Sequence, residues 1–187
     1  MGLILASQSP RRNELLALFG IPFVIRVADI DEAMDSEIPP EQEVARVSAL
    51  KAEAVPHTSE DIVIAADTIV VCDGKVLGKP KDDANAATML QMLSGRAHQV
   101  MTGMTLLRGD RRISHTEITD VHFRPLSQRD IADYLRTGEH KDKAGAYGIQ
   151  GGAAVFVDRI SGDYFNVVGL PVFRLQMLLR QIMEERQ

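Results

Sequence analysis

Residues 7–12 (SQSPRR) form a polar and basic run that follows a short apolar segment and leads into a helical pattern. Ser9 suits the N-cap position and Pro10 the first helical position, which places both arginines in the first helical turn. Backbone N–H groups and the helix dipole already make that turn positive, so two cations there are unfavourable for the helix alone. A bound anion, above all a phosphate, would remove the conflict. A solvated, mildly unfavourable helix start is the alternative.

Further ionisable residues with potential chemistry are spread along the chain. Asp67 interrupts an apolar strand pattern, where a lone carboxylate is costly to bury and needs a cation, a donor cluster or solvent. Lys51 lies within an apolar helical stripe, and Lys79 stands in a short loop between glycine and proline. Taken singly, each lysine is explained more simply as a surface residue. An acidic loop that includes Glu32 adds further carboxylates.

Together these residue types suit phosphoryl chemistry with a divalent metal. Basic groups would neutralise a polyphosphate, and carboxylates would hold a hard cation through oxygen. One carboxylate would orient or deprotonate water, and Asp67 is the best candidate for that general base. We interpret the histidines as surface or strand residues, because they show no zinc spacing and no defined partner: His57, His98, His115, His122 and His140.

Composition restricts the class of protein further. The chain has 187 residues, 45% of them hydrophobic and 25% charged, which fits one globular domain over 1–187 with room for two lobes. A net charge of −5 argues against nucleic acid as a partner. Cys72, the single cysteine, lies in an apolar run and is interpreted as a core residue. The N-terminal residues do not resemble a secretory signal, and no apolar run has the length of a membrane span, so we expect a cytoplasmic protein without a membrane partner.

Periodicity predicts an α/β protein in which strands and helices alternate. Strands are predicted over 3–6, 23–27, 62–66, 69–72, 100–107 and 113–123. Helices are predicted over about 10–19, 41–55, 82–93 and 128–135, and again after Pro171. Asp82 is the predicted N-cap of the third helix, and Ser127 and Asp130 form a predicted capping box at the start of the fourth. The glycines of the segment 142–152 indicate that its backbone comes close to another group. A bound ligand and packing within a purely structural loop explain these glycines equally well.

Six motifs follow one another along the chain: LASQSPRR (5–12), ADTIV (66–70), GKP (78–80), LSG (93–95), KAGAYGIQG (143–151) and NVVGLP (166–171). In all six the chain closely resembles the Maf family of nucleoside triphosphate pyrophosphatases, from about residue 3 to residue 180. The resemblance implies an α/β fold of the Maf and ITPase type, in which helices flank a mixed, strongly twisted sheet and two lobes surround a central cleft. It also implies a homodimer, and hydrolysis between the α and β phosphates with Mg²⁺ or Mn²⁺.

The resemblance also implies a role for individual residues. Asp67 would be the proton acceptor that activates water. Glu32 and Asp67 would be the carboxylate pair at the metal, with Asp31 as an open alternative to Glu32. The residues that would hold the triphosphate are Ser7, Arg12, Lys51 and Lys79.

Three positions distinguish substrate groups within the family. Members that look specific for 7-methylguanosine triphosphate carry Trp, Gln and Glu at the positions that match Arg11, Thr68 and Gln150. An aromatic face and a carboxylate suit a cationic, methylated purine. Here Gln150 offers both a donor and an acceptor, which matches the mixed edge of uracil or thymine. The resemblance therefore points to the dTTP and UTP subfamily, with modified pyrimidine nucleotides as an open alternative.

A second function stays open at this stage. The family is associated with septum formation, so the chain could be a nucleotide-binding regulator whose hydrolysis is slow or incidental. A binding module has no use for a general base, so Asp67 favours the enzyme.

Overall fold

The computed structural model describes residues 2–27, 29–35 and 37–184. Within these ranges the strands are β1 (Leu3–Leu5), β2 (Val24–Ile25), β3 (Ile62–Cys72), β4 (Lys75–Leu77), β5 (Ala97–Arg108), β6 (Arg111–Phe123) and β7 (Val157–Ser161). The helices are α1 (Pro10–Ala17), α2 (Pro40–Ala54), α3 (Asp83–Leu93), α4 (Gln128–Leu135), α5 (Tyr164–Val168) and α6 (Val172–Met183). Two short 3₁₀ segments, Ala144–Ala146 and Gly152–Phe156, lie within the glycine-rich segment 142–152 and at its end.

The described strands form one mixed sheet in the order β2-β1-β3-β5-β6-β7, and β4 pairs with β3 outside this path. β1 runs parallel to both of its neighbours, so that Leu5 lies opposite Ile25 on β2 and Ile64 on β3. β4 is antiparallel to β3, and β7 is antiparallel to β6. The predicted α/β class, with a mixed sheet and flanking helices, is confirmed.

Helix starts follow the predicted capping chemistry. Ser9, Asp82 and Ser127 are the N-caps of α1, α3 and α4. The Ser9 hydroxyl accepts from the backbone N–H of Arg12 at 3.4 Å, and Ser127 and Asp130 form a reciprocal capping box. Each cap satisfies N–H groups that the first helical turn leaves without a backbone partner, which is why the sequence pattern locates these starts well.

Two predictions about burial and continuity are wrong. β3 runs without a break from Ile62 to Cys72, since Asp67 and Thr68 keep an extended backbone and remain half-buried within it. His140 is neither a surface nor a strand residue, since it lies in a turn with an exposed fraction of 1%. His98 is a strand residue of β5, although it is buried, with an exposed fraction of 3%. Cys72 is buried, as predicted.

Residue contacts divide the chain into two compact units. Unit 1 comprises Met1–Asp67, Thr102–Glu117 and Gly169–Gln187. Its core includes small and branched side chains from β1, β3, β5 and the α2 region: Ile4, Ala6, Ala52, Val55, Val63, Ala65 and Leu107. Gly103 of β5 lets α2 come close, because a Cβ at that position would lie 2.4 Å from the carbonyl oxygen of Val44.

Unit 2 comprises Thr68–Met101 and Ile118–Val168. Rings that meet edge to face form part of its core, and the centroids of His98, Phe123 and Tyr147 lie 4.8 to 5.4 Å from one another. The predicted arrangement of one domain with two lobes around a substrate cleft stays a prediction.

Candidate active site

The parallel pair of β1 and β3 brings two predicted site residues to the same edge of the sheet. Leu5 lies opposite Ile64, and the backbone N–H of Ala6 continues the pairing by donating to the Ile64 carbonyl at 2.7 Å. Ser7 follows at the carboxyl end of β1, and Asp67 lies further along β3 in the same direction. Ser7 thus lies just beyond the carboxyl end of β1, and Asp67 lies beyond the part of β3 that pairs with β1. The carboxyl ends of parallel strands are the usual position of a site in α/β proteins.

Arg12 is held in place at several atoms of its side chain. Its Nε donates to the Gly169 carbonyl at 2.8 Å, and an Nη donates to the Ser7 hydroxyl at 3.2 Å. The Ser7 hydroxyl also accepts from the backbone N–H of Ser9 at 3.2 Å, so the loop that leads into α1 and the guanidinium share one oxygen. This arrangement fixes a cation over the first turn of α1, where a phosphate would be bound.

Lys51, on α2, lies between two carboxylates. Its Nζ is 2.6 Å from Asp67 Oδ1 and 3.0 Å from Glu32 Oε1. The Lys51 and Asp67 side chains are only 14% and 13% exposed, whereas Glu32 is 55% exposed. The carboxylate that interrupts the apolar strand pattern therefore has the cationic partner that its burial requires.

Electrostatics connect these two groups of residues. Burial lowers the pKa of Arg12, because desolvation disfavours the charged guanidinium. The carboxylates of Asp67 and Glu32 act in the opposite direction, and the neighbouring charge of Arg11 lowers the pKa further. The side chains of Arg12 and Asp67 are thus close enough to influence each other electrostatically.

The carboxylates present fit a divalent metal that is shared with a substrate. Oxygens of Glu32 and Asp67 converge on one cationic point, the ammonium of Lys51. Asp31, the alternative to Glu32, instead accepts from the backbone N–H of Ala33 at 2.9 Å. Within the described ranges no group of three or more His, Cys, Asp or Glu side chains could hold a metal ion. Mg²⁺ commonly binds through one or two carboxylates together with substrate phosphates, which such a pair allows.

The other predicted site residues belong to unit 2. Thr68 follows Asp67 directly in β3 and is half-buried, and Lys79 is exposed in the loop between β4 and α3. Gln150 is exposed in the glycine-rich segment. Unit 1 therefore brings together six of the predicted residues, and unit 2 holds three. Those of unit 1 are Ser7, Arg11, Arg12, Glu32, Lys51 and Asp67.

Backbone conformation and packing explain one glycine of the glycine-rich segment. Gly145 has φ +67°, and a Cβ there would lie 3.0 Å from side-chain atoms of Val70. Its backbone N–H donates to the Gly78 carbonyl at 3.1 Å, which ties the segment to the residue before Lys79. The segment is thus fixed against β3 and the β4–α3 loop within unit 2.

Sequence reasoning missed the part that Gly169 plays in holding Arg12. Its carbonyl is a backbone group 157 positions away in the chain, so no side-chain pattern indicates the contact. The sequence signal for this contact is the motif at 166–171, which contributes to the family resemblance but for which no role is predicted.

An apolar hollow of about 620 Å³ lies between α3 and α4, lined by residues that include Met92, Ile131 and Leu135. All its lining side chains are uncharged, so it is unsuited to bind a triphosphate. Among the described residues, no helix combines the length and apolarity that crossing a bilayer requires.

Comparison with known proteins covers nearly the whole chain. The model of a family described as Maf-like protein matches residues 2–182. A protein of Symbiobacterium thermophilum named dTTP/UTP pyrophosphatase is 54% identical over 96% of this chain and 93% of its own length. Proteins of the same name from Moorella thermoacetica and Clostridioides difficile are 50% and 48% identical, over 95% and 97% of this chain and 93% and 95% of their own lengths.

Solved structures are similar in fold alone. A HAM1 protein from Coxiella burnetii superposes with a TM-score of 0.56 at 15% identity, over 97% of this chain and 99% of that one. The Ham1 protein of Staphylococcus aureus gives a TM-score of 0.51 at 15% identity, over 97% and 100% of the two chains.

Proposed function

The chain belongs to the Maf-like protein family, and we propose that it is a nucleoside triphosphate pyrophosphatase that hydrolyses dTTP and UTP. The products are the nucleoside monophosphate and pyrophosphate. The observation that carries this proposal is the position of Asp67, a carboxylate in a buried strand next to Lys51 and within electrostatic reach of Arg12. Relatives at 48% to 54% identity over nearly the full chain bear the name of that activity.

Phosphate binding falls to the cations and the hydroxyl described above. Arg12, fixed by Gly169 and Ser7, is preorganised, so it loses little side-chain entropy when it binds a phosphate. Lys51 and Lys79 supply two further positive charges. As the triphosphate carries several negative charges, these residues both bind it and stabilise the charge that moves to the leaving pyrophosphate.

Asp67 acts as the general base. It accepts a proton from water as the water oxygen bonds to phosphorus and the bond between the α and β phosphates breaks. Lys51 holds the carboxylate in position, since its ammonium lies 2.6 Å from one of the two oxygens. Glu32 and Asp67 would hold Mg²⁺ or Mn²⁺, which when bound neutralises phosphate charge and orients the substrate.

Nucleobase selection is assigned to Arg11, Thr68 and Gln150. The primary amide of Gln150 can donate to a carbonyl oxygen and accept from an N–H, the pair that the edge of uracil or thymine presents. Modified pyrimidine nucleotides with the same edge belong to the same substrate class. Because these substrates are cytoplasmic metabolites, the proposal includes a cytoplasmic location.

The proposal is tested by measuring pyrophosphate and inorganic phosphate release from a panel of nucleoside triphosphates with Mg²⁺ or Mn²⁺. The wild type is expected to release pyrophosphate, with dTTP and UTP preferred. Asp67→Asn should bind nucleotide yet lose about 10² to 10⁴ in kcat, because the amide cannot accept the proton. Asp110→Asn, an exposed carboxylate in the β5–β6 turn, is the matched control. Activity of Asp67→Asn equal to that of the wild type would contradict the role of Asp67, and release of inorganic phosphate alone would contradict the reaction.

We also propose that the protein is a homodimer, as the family resemblance implies. Unit 1 carries exposed apolar side chains that a second copy would cover, among them Leu18 and Phe173 at 68% exposure each. The alternative of a nucleotide-binding regulator of septum formation is not favoured, because the relatives are named for the hydrolytic reaction.

A further inference from the structure

Gln150 lies in a tight turn that a backbone hydrogen bond closes. The N–H of Gly151 donates to the Gly148 carbonyl at 3.1 Å, which closes a β-turn with Ile149 and Gln150 as its central residues. Ile149 is buried and Gln150 is exposed. The turn therefore buries one central side chain as an anchor and presents the other, the amide proposed to select the base, to solvent.

Two side chains, one on α4 and one in the loop that follows it, hold this turn from either side. The Tyr134 hydroxyl accepts from the backbone N–H of Gly148 at 3.3 Å, on the N-terminal side of Gln150. The Glu139 carboxylate accepts from the backbone N–H of Gly152 at 2.8 Å, on the C-terminal side. The hydrogen-bonded amides thus bracket the turn that carries Gln150, and all of these residues belong to unit 2.

The Glu139 carboxylate also packs directly against the turn. A Cβ at Gly151 would lie 2.1 Å from Glu139 Oε2, and one at Gly152 would lie 3.7 Å from the same oxygen. The Tyr134 ring is buried and meets the ring of Phe156 edge to face, with 5.3 Å between centroids. The two supports are therefore a packed ring and a carboxylate in close contact with backbone, rather than freely moving surface side chains.

We infer that Glu139 and Tyr134 are positioning residues for nucleobase selectivity, because they fix the turn that presents the Gln150 amide. The inference rests on the proposed function. A segment with four glycines has many accessible backbone conformations, and an amide distinguishes one base edge from another only if it is held close to one position. The roles inferred for Glu139 and Tyr134 involve no contact with phosphate, metal or the attacking water.

The test compares Glu139→Ala, Glu139→Gln and Tyr134→Phe with the wild type, and uses Glu60→Ala, an exposed loop carboxylate of unit 1, as the control. For each protein, kcat/KM is measured for UTP and for CTP, whose base presents a donor where uracil presents an acceptor. Glu139→Ala is expected to lower the UTP to CTP ratio about tenfold, chiefly through the KM for UTP. Glu139→Gln keeps an acceptor oxygen and should retain most of the ratio. Tyr134→Phe should have a smaller effect than Glu139→Ala, since its bond is the longer one.

Thermal unfolding and calorimetric binding of UMP and CMP are measured on the same proteins. Binding selectivity tests the inference even where hydrolysis is absent, so a wild type that binds UMP but releases no pyrophosphate contradicts the proposed function alone. An unchanged ratio in Glu139→Ala, or an equal loss for both bases, would overturn the inference. An equal loss in Glu139→Gln and Glu139→Ala would also overturn it, because the charge rather than the hydrogen bond would then matter. If Glu139→Ala fails to fold, the ratio in Tyr134→Phe decides.

Discussion

At the scale of single residues, the guanidinium of Arg12 differs from a simple positive charge. It donates to the Gly169 carbonyl from Nε and to the Ser7 hydroxyl from a terminal nitrogen. Lysine keeps the charge but lacks the planar set of donors that makes both contacts. Arg12→Lys should therefore lower kcat/KM for UTP by about 10- to 100-fold, with a higher KM, in steady-state assays of pyrophosphate release.

The matched control for this change is Arg180→Lys, an exposed arginine on α6. It should leave kcat/KM unaltered. An Arg12→Lys enzyme with wild-type kinetics would show that charge alone suffices at this position, and that the two fixed contacts have no part in substrate binding.

The Gln150 amide gives a second prediction at this scale. Gln150→Glu replaces the donor half of the amide with a second acceptor, which leaves a carbonyl of uracil facing a carboxylate oxygen. An unpaired polar group costs roughly 1 to 3 kcal/mol, so kcat/KM for UTP should fall by about 5- to 150-fold. Arg112→Ala, which removes an exposed ion pair with Glu53, is the control. Equal effects of the two substitutions would contradict the role of Gln150 in nucleobase selection.

At the scale of elements, the approach of α2 to β5 depends on one glycine. Gly103→Ala would place a Cβ 2.4 Å from the Val44 carbonyl oxygen and 2.7 Å from the Ala45 nitrogen, both backbone atoms of α2. The helix would have to move, at a cost of about 1 to 3 kcal/mol in the free energy of unfolding, and Lys51 would move with it. Urea denaturation measures the cost, and pyrophosphate release measures the effect on the site.

Gly78→Ala serves as the comparison, because a Cβ at that position meets nothing within 4 Å. It should unfold at nearly the wild-type urea concentration. If Gly103→Ala were equally stable, the close packing of α2 on β5 would not constrain the helix that carries Lys51.

Elements with a clear local sequence signal were predicted from sequence, and elements without one were missed. Ser9, Asp82 and Ser127 were located because a cap bonds to N–H groups only a few residues away. β7 and α5 were missed, since five residues carry too little periodicity to be recognised. The continuity of β3 was missed because a polar pair within an apolar run was interpreted as a break.

The same distinction applies to the candidate site. Residues chosen by type were brought together in unit 1: Lys51 contacts both Asp67 and Glu32. The groups that hold the site residues in place, such as the Gly169 carbonyl and the Glu139 carboxylate, act across folded contacts that a linear pattern does not reveal. Burial of His98 likewise follows from packing against Phe123 and Tyr147.

At the scale of the whole molecule, His98 makes stability depend on pH. Burial, with a smaller effect from His122, lowers the pKa of His98 from 6.5 to about 4, and its Nε2 lies 2.8 Å from the Tyr147 hydroxyl. Between those values the unfolded chain binds a proton that the folded protein does not, so stability falls as pH decreases from 6.5 towards 4. The loss is about 3 kcal/mol at most.

His98→Gln keeps a polar partner for Tyr147 without titrating. Urea denaturation between pH 7 and 4 should therefore show a shallower decline in the free energy of unfolding for the variant than for the wild type. Parallel declines would show that His98 titrates alike in the folded and unfolded states.

Asp61 affects stability at lower pH than His98 does. Hydrogen bonds from Thr58 lower the pKa of Asp61 from 3.8 to about 2, so the contribution of this carboxylate to the free energy of unfolding is lost only below about pH 4.

The division into two units has a consequence for the synthesis of the protein. The chain passes from one unit to the other after Asp67, Met101, Glu117 and Val168, so neither unit is a continuous stretch of sequence. Unit 1 begins before unit 2 in the sequence, but its segment Gly169–Gln187 follows every residue of unit 2. Arg12 is therefore synthesised before Gly169, the residue whose carbonyl fixes the Arg12 side chain. A nascent chain therefore cannot fix the Arg12 side chain in this arrangement until all of unit 2 has been synthesised.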